Sequence, residues 1–136
     1  NIIIVDDYAH HPSEVSATLG AARSGWDHRI IAVFQPHLFT RTRDFYKDFA
    51  QAFQQSDILI VTDIYPAREK PIESITAKII ADEAEKLGHR HIEFIANQNN
   101  IPARLKDISR PNDMIITMGA GNIWRQCEGI YEALKN

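Results

Sequence analysis

A chain of 136 residues, 44% hydrophobic and 24% charged, has the size and composition of one globular domain with a single core. A net charge of −3 gives no footprint for nucleic acid or an anionic membrane, and no apolar run approaches membrane-spanning length. Cys127 is the only cysteine, which excludes a disulfide framework or a Cys-based zinc site within the chain, and its apolar helical setting fits an inert thiol.

The first predicted strand, residues 2–5, is an uncharged Ile/Val run of the kind buried on both faces of a parallel sheet. It stops at Asp6-Asp7-Tyr8-Ala9-His10-His11-Pro12, and Pro12 suits the first turn of the helix that follows. That helix, residues 12–24, puts Val15, Leu19 and Ala22 on one stripe and has Gly25 as its C′ residue. Further strands are predicted at 29–35, 57–62, 91–95 and 114–118. Helices are predicted at 42–54 (Phe45, Phe49, Ala52 and Phe53 inward), 76–87 (Ile79, Ile80, Ala84 and Leu87 inward) and 102–108. A last helix runs from 122 towards 134, with Ile123, Ile130 and Leu134 inward. Strict alternation implies right-handed crossovers. The fold class is a Rossmann-like three-layer αβα arrangement, a mostly parallel sheet with helices on both faces. The one long irregular stretch, residues 63–74, holds Pro66 and Pro71 and is of a length that is usually functional.

Ligand sites in open α/β sheets lie outside the carboxyl ends of the strands. Asp7, Tyr8, His10 and His11 follow the first strand there, although a solvated turn that merely caps a helix would use the same residue types. After the second strand, Gln35-Pro36-His37 leads to Arg41 and Arg43 at a helix start. A helix N-terminus with added guanidinium groups is a good anion site; the plain alternative is two solvated arginines, one paired with Asp44. Gly119-Ala120-Gly121-Asn122 follows the last strand. Its glycines permit close backbone approach to a phosphate or a neighbouring domain, and Asn122 can cap the last helix. No Walker A motif occurs, so a triphosphate is not gripped by that route.

Five segments occur in order: Asp6-Asp7-Tyr8-Ala9-His10-His11-Pro12, Phe34-Gln35-Pro36-His37, Thr40-Arg41-Thr42-Arg43-Asp44, Asp63-Ile64-Tyr65-Pro66-Ala67-Arg68-Glu69 and Gly119-Ala120-Gly121-Asn122-Ile123. Together they resemble the C-terminal domain of the Mur ligases, in the branch that joins L-alanine to UDP-N-acetylmuramate. The resemblance implies that residues 1–136 are one domain of a three-domain bacterial cytoplasmic enzyme of peptidoglycan synthesis. The chain's lack of an initiator Met, with a strand at its very start, fits an excised domain. ATP and Mg2+ would be bound mainly by a central domain, which this one closes upon, without nucleic-acid or membrane partners and with no metal held by this domain. Asp7 would approach the nucleotide. Tyr8, His10, His37 and Arg41 would line the amino-acid side, Arg41 holding a carboxylate or phosphate and His10 a candidate proton acceptor. Many relatives have Arg where this chain has Leu38, so any anion-binding role of that Arg falls to Arg41 or Arg43. One alternative is the sister ligase for murein tripeptide, expected to carry Phe in place of Tyr8. Another, of a different class, is a metal-dependent phosphoesterase built on Asp6, Asp7, His10, His11 and Asp63.

Overall fold

The structure is a computed structural model and describes residues 1–135. Five strands, β1 (Ile3–Asp7), β2 (Ile30–Phe34), β3 (Ile58–Val61), β4 (Ile92–Phe94) and β5 (Met114–Met118), form one all-parallel sheet in the order β1-β5-β2-β3-β4. Between them run α1 (Pro12–Gly25), α2 (Phe39–Ala52), α3 (Lys78–Lys86) and α4 (Ile101–Ile108), and α5 (Gln126–Leu134) follows β5.

The two-residue period of β2 shows how the layers form. Ile30, Ala32 and Phe34 pack with Val15 and Leu19 of α1, Phe49 of α2 and Ile80 of α3, while Ile31 and Val33 face Ile101 and Leu105 of α4 and Ile130 of α5. All five β2 residues are fully buried. At roughly 1.5–3 kcal/mol for each large apolar side chain, this central strand anchors the fold. The three-layer αβα expectation therefore holds.

Five local expectations do not. β1 is an outer strand rather than one buried on both faces: β5 inserts between it and β2, and Ile3 remains 37% exposed. Its run also extends through Asp6 and Asp7, which end the strand instead of following it. Phe45 is exposed and Tyr46 packs against the core in its place, because α2 begins at Phe39 and its buried face runs through Thr42, Phe49 and Phe53. Leu87 lies past the last turn of α3 and is exposed, and Gly25 is the final helical residue of α1 with no left-handed φ.

At the amino-terminal end of the sheet, half-buried His89 shares a 3.2 Å hydrogen bond with the Ser56 hydroxyl, and its Nδ1 accepts the His91 N–H. Burial holds this imidazole below its ordinary value of 6.5. The unfolded chain therefore takes up the proton first, and the stabilisation is whole above about pH 6.5 and lost as pH falls through the lowered native value. We expect the urea midpoint to decline as pH drops from about 7 to 5, and His89→Gln to lessen that decline, with the likewise lowered His37 imidazole supplying the remainder. Glu93, whose carboxyl is lowered by its Arg104 pair, titrates below this window. An equally steep decline in the variant would refute the assignment.

Candidate functional site at the carboxyl edge of the sheet

The loops after β1, β2, β3 and β5 meet at one end of the sheet. The Asp7 carboxylate turns inward: Oδ1 accepts the Ala9 N–H at 2.8 Å and Oδ2 the Thr18 hydroxyl at 3.2 Å. Asp7 thus shapes the loop that carries Tyr8 and His10. Glu14 fixes the other side, accepting the backbone N–H groups of His10 and His11 at 3.1 and 3.0 Å. The histidine pair is therefore held on the first turn of α1 by a residue within it, a satisfied helix start.

Tyr8 stands 70% exposed, with its ring 5.1 Å from that of His10. His10 Nδ1 lies 2.8 Å from the Tyr8 carbonyl. A bond there requires a proton on Nδ1, and in that tautomer Nε2 is the acceptor nitrogen. The His10 ring lies 5.9 Å from His37, and His37 stacks on Tyr65 at 5.6 Å with an interplanar angle of 19°. Burial, then the charges of Arg41 and His10, push the His37 imidazole below its usual value, so it stays neutral near pH 7. Tyr8 and His10 from the loop after β1 thus meet His37 from the loop after β2, with Arg41 of the first turn of α2 within electrostatic reach of His37. His37 Nδ1 and Arg41 Nη1 are buried there without a hydrogen-bond partner among the described residues. Buried polar atoms are normally paired, so a water or a ligand group is the expected partner here.

Arg43 forms only a surface pair with Asp44, the solvated alternative. The α2 N-terminus, expected to be open to an anion, is filled by the chain itself. The Glu69 carboxylate accepts the Phe39 and Thr40 N–H groups and the Thr40 hydroxyl. The turn after β5 is likewise engaged internally. Gln35, 3% exposed, accepts the N–H groups of Asn122 and Ile123 through Oε1 and donates to Asn122 Oδ1 through Nε2. Asn122 makes no side-chain cap of its own; Gln35 supplies it. A Cβ on Gly121 would meet the Tyr65 ring at 2.4 Å, so the close approach permitted at Gly119 and Gly121 is used by Gln35 and Tyr65. Tyr65 also exchanges backbone hydrogen bonds with Pro36 and Leu38. The residue pattern assigns no role to Glu69, Tyr65, Gln35 or Glu14, although the first three lie in the segments that carry the resemblance and Glu14, three residues after the N-cap position, has a readable capping signal.

Among the described residues no group of three His, Cys, Asp or Glu side chains comes together to hold a metal ion. The phosphoesterase constellation is not assembled: Asp6 accepts the Thr117 hydroxyl at 2.6 Å, while Asp63 lines a separate hollow with Asn97, Gln98 and Arg125. No helix among the described residues is long and apolar enough to cross a membrane.

Residues 1–121 match the family described as Mur ligase, glutamate ligase domain, and the chain belongs to that family. It is 49% identical over 135 residues to the UDP-N-acetylmuramate–L-alanine ligase of Geotalea uraniireducens, an alignment that takes in 99% of this chain and 30% of that protein. It therefore spans less than a third of that relative. The UDP-N-acetylmuramate–alanine ligase MurC of Thermotoga maritima is similar in structure, with a TM-score of 0.73 and 28% identity over 97% of this chain and 26% of that one. A murein peptide ligase from Psychrobacter arcticus shares the fold at a TM-score of 0.78 and 20% identity, over 99% of this chain and 28% of that one.

Proposed function

We propose that this chain is the amino-acid-delivering lid of a cytoplasmic bacterial ligase that joins L-alanine to UDP-N-acetylmuramate. The observation that carries the reading is the unpartnered, buried Arg41 Nη1 beside His37 and His10. A guanidinium fork with spare donors fits a carboxylate, and neutral His37 adds no competing charge. The 49% identity to an L-alanine ligase supports that choice of amino acid. Residues 1–136 form one domain of a larger enzyme, whose other domains bind the UDP-sugar and, mainly, ATP with Mg2+; this domain makes contact with its own central domain. ATP supplies the phosphoryl group that activates the muramate carboxylate as an acyl phosphate.

In this reading Arg41 holds the L-alanine carboxylate and Tyr8 and His37 shape the pocket, while the amine forms the C–N bond as inorganic phosphate leaves the acyl carbon and His10 Nε2 receives the amine proton. Asp7 lies towards the nucleotide, and the turn at Gly119, Gly121 and Asn122 contacts the neighbouring domain. Closure excludes water from an acyl phosphate that would otherwise hydrolyse. The test supplies the full-length ligase with L-alanine and with murein tripeptide in competition. We expect L-alanine to be used, with no turnover by the 136-residue chain alone. Preferential use of tripeptide would replace this reading with the sister activity. Unchanged activity and pH profile in His10→Gln would remove His10 from proton transfer.

A further inference from the structure

The backbone turns from β2 into α2 through a conformation that leucine rarely adopts. Leu38 has φ 74° and ψ 139°, a region where a side chain crowds its own backbone and only glycine enters freely. Such a residue persists where its surroundings fix it from both sides. The Leu38 N–H donates to the Tyr65 carbonyl at 2.9 Å, and the Leu38 carbonyl accepts the Thr42 N–H at 3.2 Å and the Thr42 hydroxyl at 2.8 Å. Thr42 is fully buried, and Tyr65 is tied in turn, its N–H donating to the Pro36 carbonyl at 2.8 Å.

The strain falls between two residues of the candidate site. His37 immediately precedes Leu38, with its ring stacked on Tyr65 and 5.9 Å from His10. Arg41 follows in the first turn of α2. Moving Leu38 from φ 74° to an ordinary negative φ turns His37 against α2 by more than about 120°. The Tyr65 stack and the Thr42 bonds cannot both survive that rotation. We propose that Leu38 is a positioning residue, whose positive-φ backbone, clamped between Tyr65 and Thr42, sets the angle at which His37 and the Arg41 turn of α2 face the proposed amino-acid pocket. The inference rests on the reading above for what that pocket holds, but two of its three measurements need no turnover.

The 136-residue chain is compared as wild type, Leu38→Gly, Leu38→Ala and Leu38→Val. Glycine ordinarily folds less stably than alanine. Here Leu38→Gly should instead have a folding equilibrium constant at least about threefold that of Leu38→Ala, read by urea unfolding. The Tyr65 ring current displaces the NMR resonances of the His37 ring protons. Leu38→Gly should keep that displacement, and Leu38→Val, whose branched Cβ opposes a positive φ, should lose it. In the full-length ligase, Leu38→Val should raise the KM for L-alanine about tenfold with kcat within about threefold of wild type, while Leu38→Gly leaves KM within about threefold. If Leu38→Val does not fold, Thr42→Val takes its place: it removes the hydroxyl arm of the clamp and should raise KM alone but not together with Leu38→Gly. Leu38→Gly no more stable than Leu38→Ala overturns the proposal, as does a folded Leu38→Val with wild-type His37 resonances and KM. The earlier reading fails separately, if Arg41→Ala leaves the KM for L-alanine unchanged while the stability order and the His37 resonances behave as stated.

Discussion

Arg41→Ala in the full-length ligase is expected to lower kcat/KM for L-alanine by roughly 100- to 1,000-fold, chiefly through KM, while thermal stability stays close to wild type. Each hydrogen bond to a charged group contributes about 1.5–3 kcal/mol, and a guanidinium fork gives two to one carboxylate. Since about 1.4 kcal/mol is tenfold, a loss of about 3–4 kcal/mol sets that range. The asymmetry with stability follows from the absence of any described partner for Nη1: no hydrogen bond is broken at that atom, and a buried unsatisfied group is removed. Arg41→Lys keeps the charge but not the fork, so it should recover only part of the loss, leaving about a tenfold deficit. Initial rates against L-alanine concentration and a thermal melt of each variant decide the matter. A kcat/KM within about threefold of wild type would leave the carboxylate to another group.

The rim where the candidate residues gather was legible because strand ends can be found by pattern and polar groups collect beyond them. β2 and β3 are uncharged β-prone runs, and the residues after β1 and β2 do converge, with His10 and His37 5.9 Å apart. What could not be read depends on distant partners. β1 has the composition of an inner strand, and only the insertion of β5 beside it, more than a hundred residues on, makes it an edge. Gln35 caps Ile123 across 88 positions, and Glu69 caps Phe39 across 30. Such contacts leave no local periodicity. The same blindness affected the α2 N-terminus, where an arginine-rich start implied an open anion site that the chain closes itself.

Gly121→Ala carries the second large expectation, a loss of about 3 kcal/mol of folding stability from one added methyl group. The new Cβ would lie 2.4 Å from Tyr65 Cγ and 2.7 Å from Gln35 Oε1, distances no relaxed structure keeps. Relief requires Tyr65 to move off the turn or Gln35 to leave the amides it caps. The first breaks the His37 stack, and the second strands the N–H groups of Asn122 and buried Ile123. Gly20→Ala, in the middle of α1, is the matched control. Its Cβ would meet only the flexible end of Gln55 at 3.5 Å, so helix propensity should make it neutral or more stable by up to about 1 kcal/mol. Urea unfolding of both variants measures the contrast. Because the displaced groups also adjoin the proposed amino-acid pocket, Gly121→Ala in the full-length ligase of that proposal should raise the KM for L-alanine under conditions where the protein remains folded. If the two glycine changes have the same effect on stability, the rim loops are not wedged together as the close packing of Tyr65, Gln35 and Gly121 requires.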